Sequence, residues 1–157
     1  MRIGIIGHAA DKFTPETEKE AKQIIKSLLE DAKSKGETIL ISGHCHLGGV
    51  DIFAEEEAIR QNIPMELKIP KTLSWGAKYG FRARNIDIAK CSDTLHIIAV
   101  AKYRDDYRGS RFKTCYHCKN GKGTLVPHIK GGACWTALRA QEMGKNVVWH
   151  IIGVPDL

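Results

Sequence analysis

The sequence has no apolar run approaching the ~18 residues that a helix needs to span a bilayer, and it has no internal repeat or low-complexity tract. No membrane association is therefore expected. It lacks an even set of cysteines: there are five, which argues against a disulfide framework and for free thiols or metal ligands. The G-x-G-x-x-G fingerprint is also missing, so a standard dinucleotide-binding dehydrogenase is not licensed. The opening Met1-Arg2-Ile3-Gly4-Ile5-Ile6-Gly7 is too short in its apolar part for a secretory leader, and an acid-rich helical segment follows it. A first strand is expected there instead, in a cytoplasmic protein.

Acidic charge is scarce in one region. Residues 101–130 carry eight lysines and arginines against only Asp105 and Asp106, so this one segment accounts for the whole net charge of +6. Such local basicity points to an anionic partner, either nucleotide phosphates or nucleic acid, with a solvated loop as the plain alternative. What remains is ordinary. With 157 residues, 43% hydrophobic and 27% charged, the chain is long enough for one domain, 1–157, with a real core.

The chain alternates apolar runs with amphipathic ones. Arg2 to Ile6 reads as a strand. Thr14-Pro15 opens a helix with a cap residue and a proline at the first helical position. Ala21, Ile24, Ile25, Leu28, Leu29 and Ala32 follow the i, i+3, i+4 spacing of one buried face, and Gly36 ends the helix. Thr38 to Ser42 is a second strand, Val50 to Ile59 a helix stopped by Asn62-Ile63-Pro64, and Met65 to Ile69 a third strand. Lys71 to Gly80 has no period. Phe81 to Cys91 reads as a helix, Thr94 to Ala101 as a strand, Gly131-Gly132 as the start of a last helix, and Asn146 to Ile152 as a fifth strand. Residues 102–130 have no convincing period, and a structureless stretch of that length is commonly functional. The predicted fold is α/β: a Rossmann-like, three-layer parallel sheet with helices on both faces, carrying a long basic, cysteine-containing insertion before the last helix. Loops at the carboxyl ends of the strands should converge on one crevice.

The central stretch Ile39 to Ala58 feeds a strand into a helix through glycines, which leaves backbone N–H groups at the positive end of the helix dipole. Gly43, Gly48 and Gly49 here, and Gly131 and Gly132 before the last helix, permit close backbone approach to an anion. Ser42 and Thr136 offer hydroxyls. Arg82 or Arg84 supplies a guanidinium clamp for phosphate. Gly7 and His8 close the first strand onto the same crevice. Asp51 either binds a ribose hydroxyl or caps its helix, and Asn85 either touches ligand or caps locally. Glu55, Glu56 and Glu57 read as a solvated face. Trp75 and Tyr79 are candidates to stack on a nucleobase, whereas Trp135 and Trp149 read as packing residues.

Four places carry a resemblance to a known group. They are Gly4-Ile5-Ile6-Gly7-His8; Ser42-Gly43 with Gly48-Gly49-Val50-Asp51 and Ala54; Arg82-x-Arg84-Asn85-x-x-Ile88-Ala89 before Cys91-Ser92-Asp93-Thr94; and Gly131-Gly132 with Thr136 and Gly144-Lys145-Asn146-Val147. In order and spacing they resemble the SLOG superfamily, the Rossmann-like group that includes the LOG cytokinin-activating enzymes, the DNA-processing protein DprA and nucleotide-sensing domains of defence systems. The resemblance implies a mononucleotide-type ligand over the glycine loops and, often, a homodimer. It also suggests an N-glycosidic-bond hydrolase or transferase as an alternative activity. The LOG loop Pro-Gly-Gly-x-Gly-Thr-x-x-Glu is here Lys130-Gly131-Gly132-Ala133-Cys134-Trp135-Thr136-Ala137-Leu138, without the proline, the third glycine or the glutamate.

A metal site is a separate expectation. Cys115-Tyr116-His117-Cys118 supplies a C-x-x-C pair, with His128 and Cys134 downstream, and Cys₃His is a sound tetrahedral zinc set. His117 is a substitute ligand, and unligated thiols are the alternative. Zinc would explain how a charged loop with little hydrophobic content becomes ordered. Cys134 lies beside the glycine pair, so the knuckle would adjoin the ligand. Cys45, between His44 and His46, is the candidate nucleophile should the chain use thiol chemistry.

Overall fold

The computed structural model describes residues 1–112, 114–119 and 122–154. Five strands and four longer helices follow the order β1 (Arg2–Gly7), α1 (Pro15–Lys35), β2 (Ile39–Ser42), α2 (Val50–Arg60), β3 (Met65–Leu67), α3 (Phe81–Cys91), β4 (Thr94–Val100), α4 (Gly132–Glu142) and β5 (Asn146–Ile152). A 3-10 turn at Ala10–Lys12 leads into α1. The sheet is parallel throughout, in the order β3-β2-β1-β4-β5. The α/β architecture anticipated from the alternating runs is therefore present.

Local chemistry sets the element ends. The Thr14 hydroxyl accepts the Thr17 N–H at 3.1 Å while the Thr17 hydroxyl accepts the Thr14 N–H at 2.8 Å, so α1 begins in a reciprocal capping box with Pro15 as its first residue. Glu16 and Glu18 in the first turn and Lys33 and Lys35 in the last complement the helix dipole. Ala21, Ile25, Leu29 and Ala32 form the buried stripe. The third strand is shorter than its apolar run, Met65 to Ile69. Ile69, beyond its end, is 59% exposed on the sheet edge, and Pro70 after it has no N–H to continue the ladder.

Alternation along the strands builds two cores. Ile3, Ile5, Ile98 and Val100 face α1 and α2, whereas Ile41, Leu95 and Ile97 face α3 and α4. Burying each such side chain contributes about 1.5–3 kcal/mol, so the sheet is pinned from both sides by strand residues. Residues 102–130 add little to these cores: Ile129 joins the first, and Cys115 and Cys118 the second. No helix among the described residues is long and apolar enough to cross a membrane.

The chain leaves β1 for one side of the sheet and returns to β4 on the other, so the order reverses between these neighbours. The crevice at their carboxyl ends is where an open parallel sheet takes its ligand. Ala101 and Ile129 close the base of the excursion at 102–130: the Ala101 N–H bonds the Ile152 carbonyl at 2.9 Å, and the Ile129 N–H bonds the Val100 carbonyl at 3.1 Å. Between them the described residues form no strand and only a 3-10 position at Lys119, and Tyr103, Tyr107, Ser110 and Phe112 line that crevice.

Candidate functional site

A cavity of about 490 Å³ lies over the carboxyl ends of β1 and β4. It takes Gly7 and His8 from β1, Asp51 from α2, Arg84 and Asn85 from α3, and Gly131, Gly132 and Thr136 from the start of α4. These eight were all expected at a ligand site. Ser42, Gly43, Gly48, Gly49 and Arg82 were expected there too, and none of them lines the cavity. Lys12 and Lys130 add positive charge, and Tyr103, Tyr107 and Phe112 form an aromatic wall.

The end of the cavity at α4 holds four donors without a partner among the described residues. Helix α4 has Gly131 at its N-cap with no side-chain cap, and the Gly132 and Ala133 N–H groups make no hydrogen bond among the described residues. His8 is 4% exposed and accepts the Val100 N–H at Nδ1, 3.1 Å away, so its proton sits on Nε2. That Nε2–H is buried and unpartnered, as is the Thr136 hydroxyl at 1% exposure. Burial, with help from Lys12 and His128, lowers the His8 pKa to about 4, so at neutral pH the ring is an uncharged donor. The Lys130 carbonyl nearby opposes this shift, yet no hydrogen bond to it forms. Gly131 has to be glycine here, because a Cβ would stand 2.5 Å from His8 Nε2.

The other end is set by α3 and the β2–α2 loop. Arg84 donates Nε to Asn85 Oδ1 at 2.7 Å and Nη1 to the Gly43 carbonyl, while no Arg84–Asp51 ion pair forms. Its Nη2 makes no hydrogen bond among the described residues. Asp51 accepts the Cys45 N–H at 3.1 Å, so it braces the loop rather than capping its own helix. Burial pushes the Asp51 carboxyl up to about 6, against the pull of Arg84 and of the Cys45 N–H. Burial also raises the Cys45 thiol and lowers Arg84. A raised thiol is the opposite of an activated nucleophile.

Three expectations need correcting. Glu55 and Glu57 are buried, and only Glu56 of the three is exposed. The Glu55 carboxylate accepts the Ser42 hydroxyl at 2.7 Å and meets His44 Nδ1 at 2.6 Å. That pairing occupies Ser42 and holds His44 at a positive φ of 49°. Arg82 points away from the cavity and lies over Trp135, 5.9 Å from the ring centre. Trp75 packs edge-on against that same Trp135 at 4.9 Å, and Tyr79 lies under Lys71, so neither adds to the aromatic surface of the cavity. That surface comes from the insertion: Tyr103 and Tyr107 are stacked at 4.8 Å, and the Phe112 N–H donates to the Tyr103 hydroxyl at 3.1 Å. The signal for it was the interleaving of aromatic and basic residues between 102 and 112. Much of that basic charge builds the loop. Arg104 pairs with Asp106 and donates to the Phe13 carbonyl, while Arg111 donates to three carbonyls, Arg104, Asp105 and Tyr107.

The expected metal set converges. The ligand atoms of Cys115, Cys118, His128 and Cys134 all lie within 4.8 Å of one another, and all four residues are buried. His128 directs Nδ1–H to the Val126 carbonyl at 2.7 Å, which leaves Nε2 facing Cys134 Sγ at 3.5 Å. A carbonyl behind the imidazole is the usual way to aim the other nitrogen at a metal. The groups perturb one another strongly. Hydrogen bonds from Cys118 and Cys134 hold the Cys115 thiol far below its ordinary range, and Cys115 and Cys118 push Cys134 up. Burial works to lower His128, yet its hydrogen bonds to Cys115 and Cys118 bring it to about 10. Soft sulfurs and one imidazole in this number can hold a metal ion. His117 is not among the converging residues. A scan against family models and searches of the curated proteins and of the solved structures each returned no match.

Proposed function

We propose that the chain binds a nucleotide or nucleotide-derived ligand in the cavity between β1 and β4, with its phosphate at the start of α4. The observation that carries this is the pair of buried, unpartnered donors, His8 Nε2–H and the Thr136 hydroxyl, beside the uncapped N–H groups of Gly132 and Ala133. Leaving such donors unpaired costs about 1–3 kcal/mol each, which a bound anion would recover. The helix dipole and Lys130 favour negative charge at the same point. Tyr103, Tyr107 and Phe112 offer a ring a flat apolar surface, and Asp51, Asn85 and Arg84 offer polar groups to a sugar. The volume suits a small ligand. The resemblance to the SLOG superfamily leads to the same ligand class and supports a homodimer. Calorimetry with nucleoside 5′-phosphates and their parent nucleosides tests the reading. Nucleotides should bind at least tenfold tighter than nucleosides, and Gly131→Ala, which crowds His8 Nε2, should abolish the difference. Equal affinities for the two would reject the phosphate site.

Zinc is the metal that the Cys115, Cys118, His128 and Cys134 set fits best. Replacement with Co²⁺ should give thiolate charge-transfer bands and tetrahedral d–d absorption at one ion per chain.

A second reading, cleavage at an N-glycosidic bond, is favoured by Asp51, a cavity carboxyl with its pKa raised to about 6 beside Arg84. A carboxyl poised there can hold or release a proton near neutral pH. Release of free base from nucleoside monophosphates, lost in Asp51→Asn, is its signature.

A further inference from the structure

The metal cluster and the phosphate end of the cavity share the same short stretch of chain. His128 and Cys134 bracket Ile129-Lys130-Gly131-Gly132-Ala133, and four of those five residues line the cavity. Cys134 is itself in the first turn of α4, where its N–H bonds the Gly131 carbonyl at 3.1 Å. On the opposite side, Cys115 follows the cavity residues Ser110 and Phe112 in the chain. The cluster thus ties the wall contributed by the insertion to the anion-binding turn.

Nothing else buried holds this segment. Among the described residues of 102–130, only Cys115, Cys118, His128 and Ile129 are buried, and three of these four belong to the cluster. Apart from a 3-10 position at Lys119, the described residues of the segment form no helix or strand. Fixing its backbone costs roughly 1–2 kcal/mol per residue, far more than one isoleucine can offset. A metal bound by four side chains supplies a large share of that, about 10–16 kcal/mol, to which the Arg104 and Arg111 hydrogen bonds and the packing of Tyr103 on the first core add.

We propose that a zinc-class metal at Cys115, Cys118, His128 and Cys134 builds the phosphate-binding turn, so that anion affinity and metal affinity are coupled. The inference rests on the phosphate reading above. The coupling is reciprocal: whatever factor the metal adds to anion binding, the anion adds to metal binding. It is also local, because the strand cores stand mainly on residues outside the segment.

The test uses the full chain with Zn²⁺ bound, the same chain after chelation, and Cys118→Ser, which removes a ligand without altering any cavity residue. Inorganic phosphate is the probe, followed by ³¹P line broadening, with far-UV circular dichroism and amide exchange recorded alongside. Chelation and Cys118→Ser should each weaken phosphate binding at least tenfold and speed exchange at 129–133. They should leave the circular dichroism and the exchange of β1 and α1 unchanged, and Zn²⁺ should restore binding to the chelated chain. Phosphate should slow removal of Zn²⁺ by a competing chelator. Equal phosphate binding with and without metal overturns the coupling and leaves the phosphate reading standing. No phosphate binding by the zinc-loaded chain overturns that reading and the inference with it. Loss of helical signal on chelation overturns the inference alone, since the metal would then hold the whole fold rather than this turn.

Discussion

The chain has two glycine-bearing turns that feed helices at the same end of the sheet, and they behave differently. The β2–α2 turn closes on itself. Ser42 and His44 pair with Glu55, the Cys45 N–H goes to Asp51, Arg84 holds the Gly43 carbonyl, and the Val50 N–H takes the His8 carbonyl. The turn before α4 does the reverse, leaving Gly132, Ala133, His8 and Thr136 with donors and no acceptors among the described residues. Glycines alone therefore do not mark a phosphate site. What sets the turn before α4 apart is that its buried donors without a partner, His8 Nε2–H and the Thr136 hydroxyl, belong to residues lining the cavity, whereas the other two buried orphans, Arg139 Nε and Trp149 Nε1, lie outside it.

Glycine substitutions give the largest separation between the turns. Gly49 has φ 88°, and a Cβ there would stand 2.2 Å from the His8 carbonyl. Gly49→Ala should cost on the order of 3 kcal/mol of stability, from left-handed strain and a backbone clash. Gly131 has an ordinary extended backbone, but its added Cβ would meet His8 Nε2 at 2.5 Å. Gly131→Ala should cost about 1 kcal/mol of stability while weakening phosphate binding roughly thirtyfold by filling the anion position. Urea unfolding and calorimetry on both variants decide the matter. Normal phosphate binding by Gly131→Ala would erase the contrast.

Asp51 braces the β2–α2 turn and lines the cavity, and its pH dependence sharpens the comparison. Its pKa rises from 3.8 to about 6 through burial. The folded chain then holds the proton more tightly than the unfolded chain between those values. Stability is greatest below that window, falls as pH rises through it, and is level above. The difference is on the order of 3 kcal/mol at neutral pH. Asp51→Asn, which still accepts the Cys45 N–H, should recover about 2 kcal/mol at pH 7.5 and nothing at pH 3.5. Unfolding curves at the two pH values that differ equally for both proteins would show that Asp51 carries no such penalty.

The elements were legible because each has its own period: the stripe Ala21, Ile25, Leu29 and Ala32 for α1, and the unbroken apolar run for β4. The cysteine cluster was legible because ligand spacing survives in sequence even when the loop around it has no period. What was illegible depends on rotation about a helix axis. Arg82 and Arg84 are two residues apart, hence roughly 200° apart around α3, so one faces the cavity and the other cannot. Glu55 and Glu57 are also two residues apart yet both are buried, because α2 packs against α1 as well as the sheet, and the polar partners that bury Glu55 lie thirteen and eleven residues away. The aromatic wall at Tyr103, Tyr107 and Phe112 has no period at all and takes shape only once the insertion is folded.

The smallest expected effect is also the most discriminating, because two hydroxyls should respond with opposite signs. Ser42 is fully buried and donates to Glu55 at 2.7 Å. Ser42→Ala strips a charged acceptor of its donor, so it should cost about 1–2 kcal/mol and leave phosphate binding within a factor of two. Thr136 is equally buried, but its hydroxyl has no partner. Thr136→Val keeps the shape and removes a donor that the free protein cannot satisfy, so stability should rise by about 1 kcal/mol while phosphate affinity falls about tenfold. A residue kept for packing would move stability alone, and a residue kept for ligand would move both in opposite directions. Unfolding free energies and phosphate affinities for the two variants separate these cases, and a Thr136→Val protein with unchanged phosphate affinity would place the anion somewhere other than the start of α4.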